Sequence, residues 1–192
     1  MKYDMILAGV GGQGVLSIAA TIAMAAVSEG LRIKQAEVHG MSQRGGAVQS
    51  HLRLSDRPIF SDLIPDGQAD MVLAMEPMEA LRYVPLLAAE GVIVTDSAPV
   101  INIPDYPDPA AVLAAVRAFP QSHVVDASAI AKELHNPRGS NMVLLGAASV
   151  FLPLNSAALE RAIEQLFARK GGAVVEKNIE AFRAGRGVIQ LA

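Results

Sequence analysis

The sequence predicts an α/β domain of three layers, with helices on both faces of a largely parallel sheet. Three observations carry this. Short apolar runs alternate with longer helical patterns along the whole chain. The first of these runs, Met5-Ile6-Leu7, stops in Gly9, Gly11, Gly12 and Gly14, and an uncharged helix starts at once. Finally, two strand-like stretches follow each other with no helix between them, so a β-hairpin excursion is expected after the second strand.

Taken in order, Gly14 to Ser28 reads as a helix with no polar face beyond Ser17, Thr21 and Ser28. A helix apolar all round is buried on all sides, so part of its cover is expected from another polypeptide, and the isolated chain is expected to self-associate. Gly30 stops it. Leu31 to Val38 and Ala47 to Leu54 are the alternating strands, joined by a turn-rich loop through His39-Gly40 and Gly45-Gly46. Ser55 to Pro58 is a turn, Ala69 to Met75 a buried strand, and Glu76-Pro77 starts a helix with proline where its missing N–H costs little. Gly91 to Thr95 is a core strand, and Pro99, Pro104, Pro107 and Pro109 mark an irregular connection. Ala110 to Phe119 is a helix, His123 to Asp126 a strand, Ala127 to Leu134 a helix and His135 to Gly139 a loop. Ser140 to Leu152 is an uncharged, buried helix ended by Pro153. Asn155 or Ser156 caps an amphipathic helix with Leu159, Ile163, Leu166 and Phe167 on one face, which Gly171-Gly172 closes before a last helix from Ala173 to Ala184.

The totals narrow the function. A chain of 192 residues fits one domain, 1–192, with a substantial core. Its net charge of −3 argues against a nucleic-acid partner, which calls for a basic patch. With no cysteine, the chain has no thiolate for zinc or an iron–sulfur cluster and no cysteine nucleophile, and a cytoplasmic setting is expected. The uncharged stretch from Met5 to Ser28 is broken by four glycines and preceded by Asp4, which fits neither a secretory leader nor a spanning helix, so no membrane role is expected.

Glycine enters strained backbone without a Cβ penalty, so Gly9, Gly11, Gly12 and Gly14, with Gln13 among them, make a tight strand-to-helix turn. Unpaired amides at a helix N-terminus attract phosphate; the alternative is a tight turn with no ligand. The second loop, Ser42-Gln43-Arg44-Gly45-Gly46, starts at the carboxyl end of a strand, as the first does, and that is the edge where open α/β sheets bind ligands. Arg44 adds a forked cation suited to phosphate or to a partner chain. Glu37 lies near the ~20-residue distance at which a dinucleotide fold places its ribose acid. An independent NAD(P)- or ATP-binding enzyme is therefore a second reading, weakened by the missing helix after strand two; a purely structural module is a third. Among the four histidines no pair has the i, i+4 spacing of metal ligands on one helix, though His39 and His51 flank the hairpin. No Gly-x-Ser-x-Gly elbow occurs. The residues themselves show no catalytic constellation.

Gly9-Val-Gly-Gly-Gln-Gly14, then Ala36-Glu-Val-His-Gly-Met-Ser-Gln-Arg-Gly-Gly46 with Ser50-His-Leu-Arg53, then Asn141 in Ser-Asn-Met-Val-Leu-Leu-Gly146, occur in this order. Together they resemble the gamma-type subunits of 2-oxoacid:ferredoxin oxidoreductases, most of all the small subunit of the indolepyruvate type, across the whole chain. The resemblance implies a Rossmann-like fold and a reaction in which a 2-oxoacid is oxidatively decarboxylated on thiamine diphosphate. Electrons pass through iron–sulfur clusters to ferredoxin, and the acyl group leaves on coenzyme A. It places thiamine diphosphate and the clusters on a larger partner subunit, consistent with the absence of cysteine here. It also implies that the isolated chain is inactive, that the domain packs beside the thiamine site, and that Ser42, Gln43, Arg44, Gly45 and Gly46 approach coenzyme A. Gly9 to Gly14 and Asn141 belong to the same expected cofactor-facing set.

Overall fold

The computed structural model describes residues 1–39 and 45–189, His39 by its backbone alone. A six-stranded sheet is built from β1 (Lys2–Val10), β2 (Arg32–His39), β3 (Ala47–Ser55), β4 (Ala69–Ala74), β5 (Leu87–Asp96) and β6 (Ser122–Val125), in the order β2-β3-β1-β4-β5-β6. The β1, β4, β5 and β6 strands are parallel neighbours. Only β3 is reversed. It pairs antiparallel with β2, from Arg32 opposite Ser55 to His39 opposite Val48, and with β1, from Lys2 opposite Ser55 to Val10 opposite Ala47. The expected hairpin is therefore present, and β3 separates β2 from β1.

Alternation along the strands makes two apolar faces. Met5, Leu7, Leu52, Leu54, Met71, Leu73 and Val94 share one core with α1 (Val15–Ser28), α5 (Ser140–Ala148), α6 (Ser156–Phe167) and α7 (Gly172–Gly187). Ile6, Ala8, Val72, Ala74 and Ile93 share the other with Ala80 of α2 (Pro77–Arg82) and Val116 of α3 (Pro109–Arg117). A short α4 (Ala127–Glu133) follows β6. Where no helix covers the second face, His51 and Arg53 hold a loop against it. His51 Nδ1 accepts the Ile64 amide at 3.1 Å, and Arg53 Nη1 donates to the carbonyls of Ser61 and Leu63 at 3.1 and 2.9 Å. The same guanidinium grips the fully buried Asp4 with two 2.9 Å bonds. Asp4, conspicuous in the sequence as an acid before an apolar run, is a core ion-pair partner.

Several elements differ in extent from the sequence expectation. β5 begins at Leu87 rather than Gly91: Leu87 pairs with Ala69 of β4, and the register then shifts so that Val92 faces Met71. α2 stops at Arg82, before Pro85, and Val84 continues as a separate 3₁₀ turn. α5 ends at Ala148, short of Leu152, and α7 runs past Ala184 to Gly187. Asn155 is the cap of α6, its side chain accepting the Ala157 amide at 3.0 Å. The helix buried all round within the chain is α5, whose residues 141–148 are all buried. α1 is buried on its inner side only: Leu16 and Val27 stay 45% and 59% exposed. Among the described residues no helix is long and apolar enough to cross a membrane.

α5 and α7 cross at two glycines. A Cβ at Gly146 would lie 1.9 Å from the Phe182 carbonyl oxygen, and one at Gly185 would lie 1.8 Å from that of Val143. Rigid backbone meets each, so the helices must separate to admit a methyl group. Gly146→Ala is expected to lower stability by ~3 kcal/mol, the upper end of overpacking costs. Gly187→Ala, where a Cβ meets nothing within 4 Å, serves as the control in thermal or urea unfolding; equal shifts for the two variants would contradict the close crossing.

Candidate ligand edge

Both glycine loops lie at the carboxyl ends of β1 and β2, and the structure joins them. Gly11 N donates to the Gly46 carbonyl at 2.8 Å, and Gly45 N donates to the Gly11 carbonyl at 3.3 Å. These bonds carry the β1–β3 pairing one residue beyond Val10 and Ala47. Gly12, Gly14 and Gly45 take φ of 103°, 87° and 84°, in the left-handed region where a side chain is strained. Gly9 needs to be small for another reason: a Cβ there would meet the Met75 Cβ at 2.9 Å.

Gln13 fastens the first loop. Its Oε1 accepts the Val10 amide at 2.6 Å and its Nε2 donates to the Met75 carbonyl at 3.0 Å, which ties the end of β1 to the end of β4. Asn141, buried in the first turn of α5, donates to the Gly14 carbonyl at 3.4 Å while its Oδ1 accepts the Met142 amide at 2.9 Å. Thus Gln13 and Asn141 have their side chains engaged in building the edge, and Gly9, Gly11, Gly12 and Gly14 shape its backbone. Ser42, Gln43 and Arg44 lie outside the described residues; Gly45 and Gly46, which continue the same loop, sit directly against Gly11.

The helix starts set the field here. Neither α1, with Gly14 at its N-cap, nor α5, with Gly139, has a side-chain cap or an acidic residue in its first turn. The Asn141–Gly14 contact brings the two N-termini together, and each carries roughly half a positive charge from its helix dipole. Acidic groups cluster further along the edge, at β4 and β5. Glu76, buried after β4, accepts the Glu79 amide at 2.9 Å, the Val100 amide at 3.4 Å and the Tyr106 hydroxyl. Burial and the Glu76 carboxylate push the Tyr106 hydroxyl well above its ordinary value, so it stays a donor. Asp96, at the end of β5, accepts the Ser128 hydroxyl at 2.6 Å, and burial raises its carboxyl above the usual range. Sequence reasoning missed Glu76 and Asp96, since nothing in spacing marks a lone acid after a strand as buried.

Other sequence expectations resolve differently. Glu37 lies on β2, kept apart from β1 by β3 and paired in register with Ser50. It is not where a dinucleotide fold puts its ribose acid beside the first glycine loop. The hairpin register sets His51 opposite Ala36 and His39 opposite Val48, so the two histidines are not cross-strand partners. Burial, then Arg53, holds the His51 imidazole below its ordinary value, which suits its role as acceptor for Ile64. Among the described residues no group of three or more His, Cys, Asp or Glu could hold a metal ion. In a hollow at the opposite sheet edge, lined in part by Lys2, Arg53, Arg57 and Phe60, the Lys2 and Arg53 charges are both paired with Asp4. Gln13→Ala removes both bonds from the glycine loop and leaves the Val10 amide unpaired, so a loss of about 1–3 kcal/mol in urea unfolding is expected; an unchanged midpoint would show that Gln13 does not hold the loop.

Residues 4–188 match the family described as pyruvate ferredoxin/flavodoxin oxidoreductase. The indolepyruvate oxidoreductase subunit IorB of Archaeoglobus fulgidus is 33% identical over 194 residues, covering 96% of this chain and 94% of its own. Its namesake from Methanothermobacter thermautotrophicus is 32% identical over 196 residues, covering 97% of each. Among solved structures, the keto/oxoacid ferredoxin oxidoreductase gamma subunit of Geobacter sulfurreducens superposes with a TM-score of 0.69 at 28% identity, covering 96% of this chain and 94% of that one. A 2-oxoglutarate:ferredoxin oxidoreductase of Magnetococcus marinus, solved with 2-oxoglutarate, coenzyme A and succinyl-CoA, shares the fold with a TM-score of 0.78 at 23% identity. The match covers 97% of this chain but only 30% of that longer one. With the family match spanning nearly its full length and IorB relatives above 30% identity, the chain belongs to the pyruvate ferredoxin/flavodoxin oxidoreductase family.

Proposed function

We propose that residues 1–192 form one domain that serves as the small subunit of a cytoplasmic 2-oxoacid:ferredoxin oxidoreductase, with indolepyruvate or a related arylpyruvate as the oxoacid. The observation that carries this reading is the joined pair of glycine loops at one sheet edge, in a chain of this family. Thiamine diphosphate supplies the decarboxylation chemistry, and it belongs with the iron–sulfur clusters on a larger partner subunit that passes electrons to ferredoxin. This chain, without a thiolate, fits that division.

Its own residues are assigned to coenzyme A. The diphosphate and ribose phosphate of that molecule need amide donors and a cation. The Gly9–Gly14 turn and the α1 and α5 N-termini supply positive backbone ends; Arg44 in Ser42–Gly46 supplies the cation, with Ser42 and Gln43 as neutral partners. The exposed outer side of α1, from Leu16 to Val27, starts at this same edge and supports a second polypeptide lying against it. The separation of β2 from β1 disfavours the reading as an independent NAD(P)-binding enzyme.

In the assembled oxidoreductase, Arg44→Ala is expected to raise the apparent KM for coenzyme A roughly tenfold, the size of one charge-assisted phosphate contact, while assembly and the KM for the oxoacid stay unchanged. An unchanged KM for coenzyme A would remove Arg44 from the site.

A further inference from the structure

One bond at the glycine edge comes from an element that sequence reading treated as mere connection. Asn102, in the stretch between β5 and α3, donates from Nδ2 to the Gly45 carbonyl at 2.5 Å. Gly45 is thus held from both sides, its N–H by Gly11 and its carbonyl by Asn102.

The path of this stretch follows from the strand order. β5 and β3 are separated by β4 and β1, three strand spacings or about 14 Å. The chain from Ser97 to Asn102 spans at most about 17 Å when extended. Residues 97–102 therefore reach from the end of β5 past β4 and β1 to Gly45, with the Asn102 side chain closing the last of the distance. The root is fixed: Ser97 N donates to the Val125 carbonyl at 2.8 Å, its hydroxyl to Asp126 at 3.0 Å, and Ala98 N to Asp96 at 3.2 Å. Glu76 then holds both limbs, taking the Val100 amide on the outward run and the Tyr106 hydroxyl on the return. Pro99, Pro104 and Pro107 fix φ and reduce the freedom lost on ordering. Ile101 and Ile103, either side of Asn102, remain 66% and 42% exposed while the asparagine turns in to Gly45.

We propose that residues 97–108 are a third wall of the glycine edge, and that Asn102 is a positioning residue that sets the second glycine loop for coenzyme A. The proposal rests on the coenzyme A reading of that loop. The buried Glu76 anchors the strap, Asn102 transmits its position to Gly45, and the chain entering Gly45 carries Arg44. No sequence motif marks Asn102.

The test uses the assembled oxidoreductase with Asn102→Ala, Asn102→Asp and Asn102→Gln, beside Arg44→Ala. The expected result is a rise of roughly threefold to tenfold in KM for coenzyme A for the Ala and Asp variants. Aspartate cannot donate to a carbonyl, whereas Gln keeps the amide donor and recovers part of the loss. The change falls on KM for coenzyme A, and KM for the oxoacid does not follow it. Amide exchange on the same complexes should quicken at Gly45 and Gly46 in the Ala variant, with Met71–Ala74 unaffected. If exchange quickens but only Arg44→Ala moves KM, the clamp is structural and the proposal is overturned while the coenzyme A reading stands. If neither variant moves KM, the coenzyme A reading falls and takes the proposal with it. Unchanged exchange at Gly45 and Gly46 overturns the clamp itself.

Discussion

Because β3 runs against β1 and lies between it and β2, the loop that enters β3 falls on the same sheet edge as the loop that leaves β1. A parallel crossover would have carried the second strand through a helix and kept the two loops independent. Here a hairpin does the joining, and the antiparallel ladder runs on past the strands into Gly11, Gly45 and Gly46. Everything at the site depends on that pairing. It fixes where the first loop ends, gives Gly45 a firm neighbour, and leaves Asn102 a carbonyl to hold.

Around this pair the edge divides by charge. Its β1 side has glycine backbone and two helix starts free of acidic residues; its β4–β5 side has buried carboxylates, Glu76 and Asp96, that accept hydrogen bonds from the strap and from α4. The acids act as anchors, with their lone pairs turned inward to amides and hydroxyls. The glycine side thus presents two helix N-termini, whereas the carboxylates of Glu76 and Asp96 are turned to the strap and to α4.

Much of the fold was legible because its signals are local. A glycine cluster after an apolar run marks a strand-to-helix turn, and alternation through Leu31–Val38 and Ala47–Leu54 marks a hairpin. The division of burial between helices was not legible. α1 and α5 are equally free of charge in sequence, yet α5 is enclosed and α1 keeps one side open, because enclosure depends on where α7 crosses. That crossing turns on Gly146 and Gly185, which read in sequence as weak helix residues. At the site, the glycines and Asn141 carried a sequence signal. Glu76, Asp96 and Asn102 did not, since their roles come from the strand order and from contacts between segments far apart in sequence.

In the proposed function, the paired glycine loops are the face this chain turns to its ligand. Amide exchange of the assembled oxidoreductase, compared with and without coenzyme A, tests it most directly. Slowed exchange is expected at residues 9–14 and 42–47 alone, with the opposite edge around Arg53 and Phe60 unchanged. Protection at that opposite edge, or none anywhere in this chain while the complex binds coenzyme A, would contradict it.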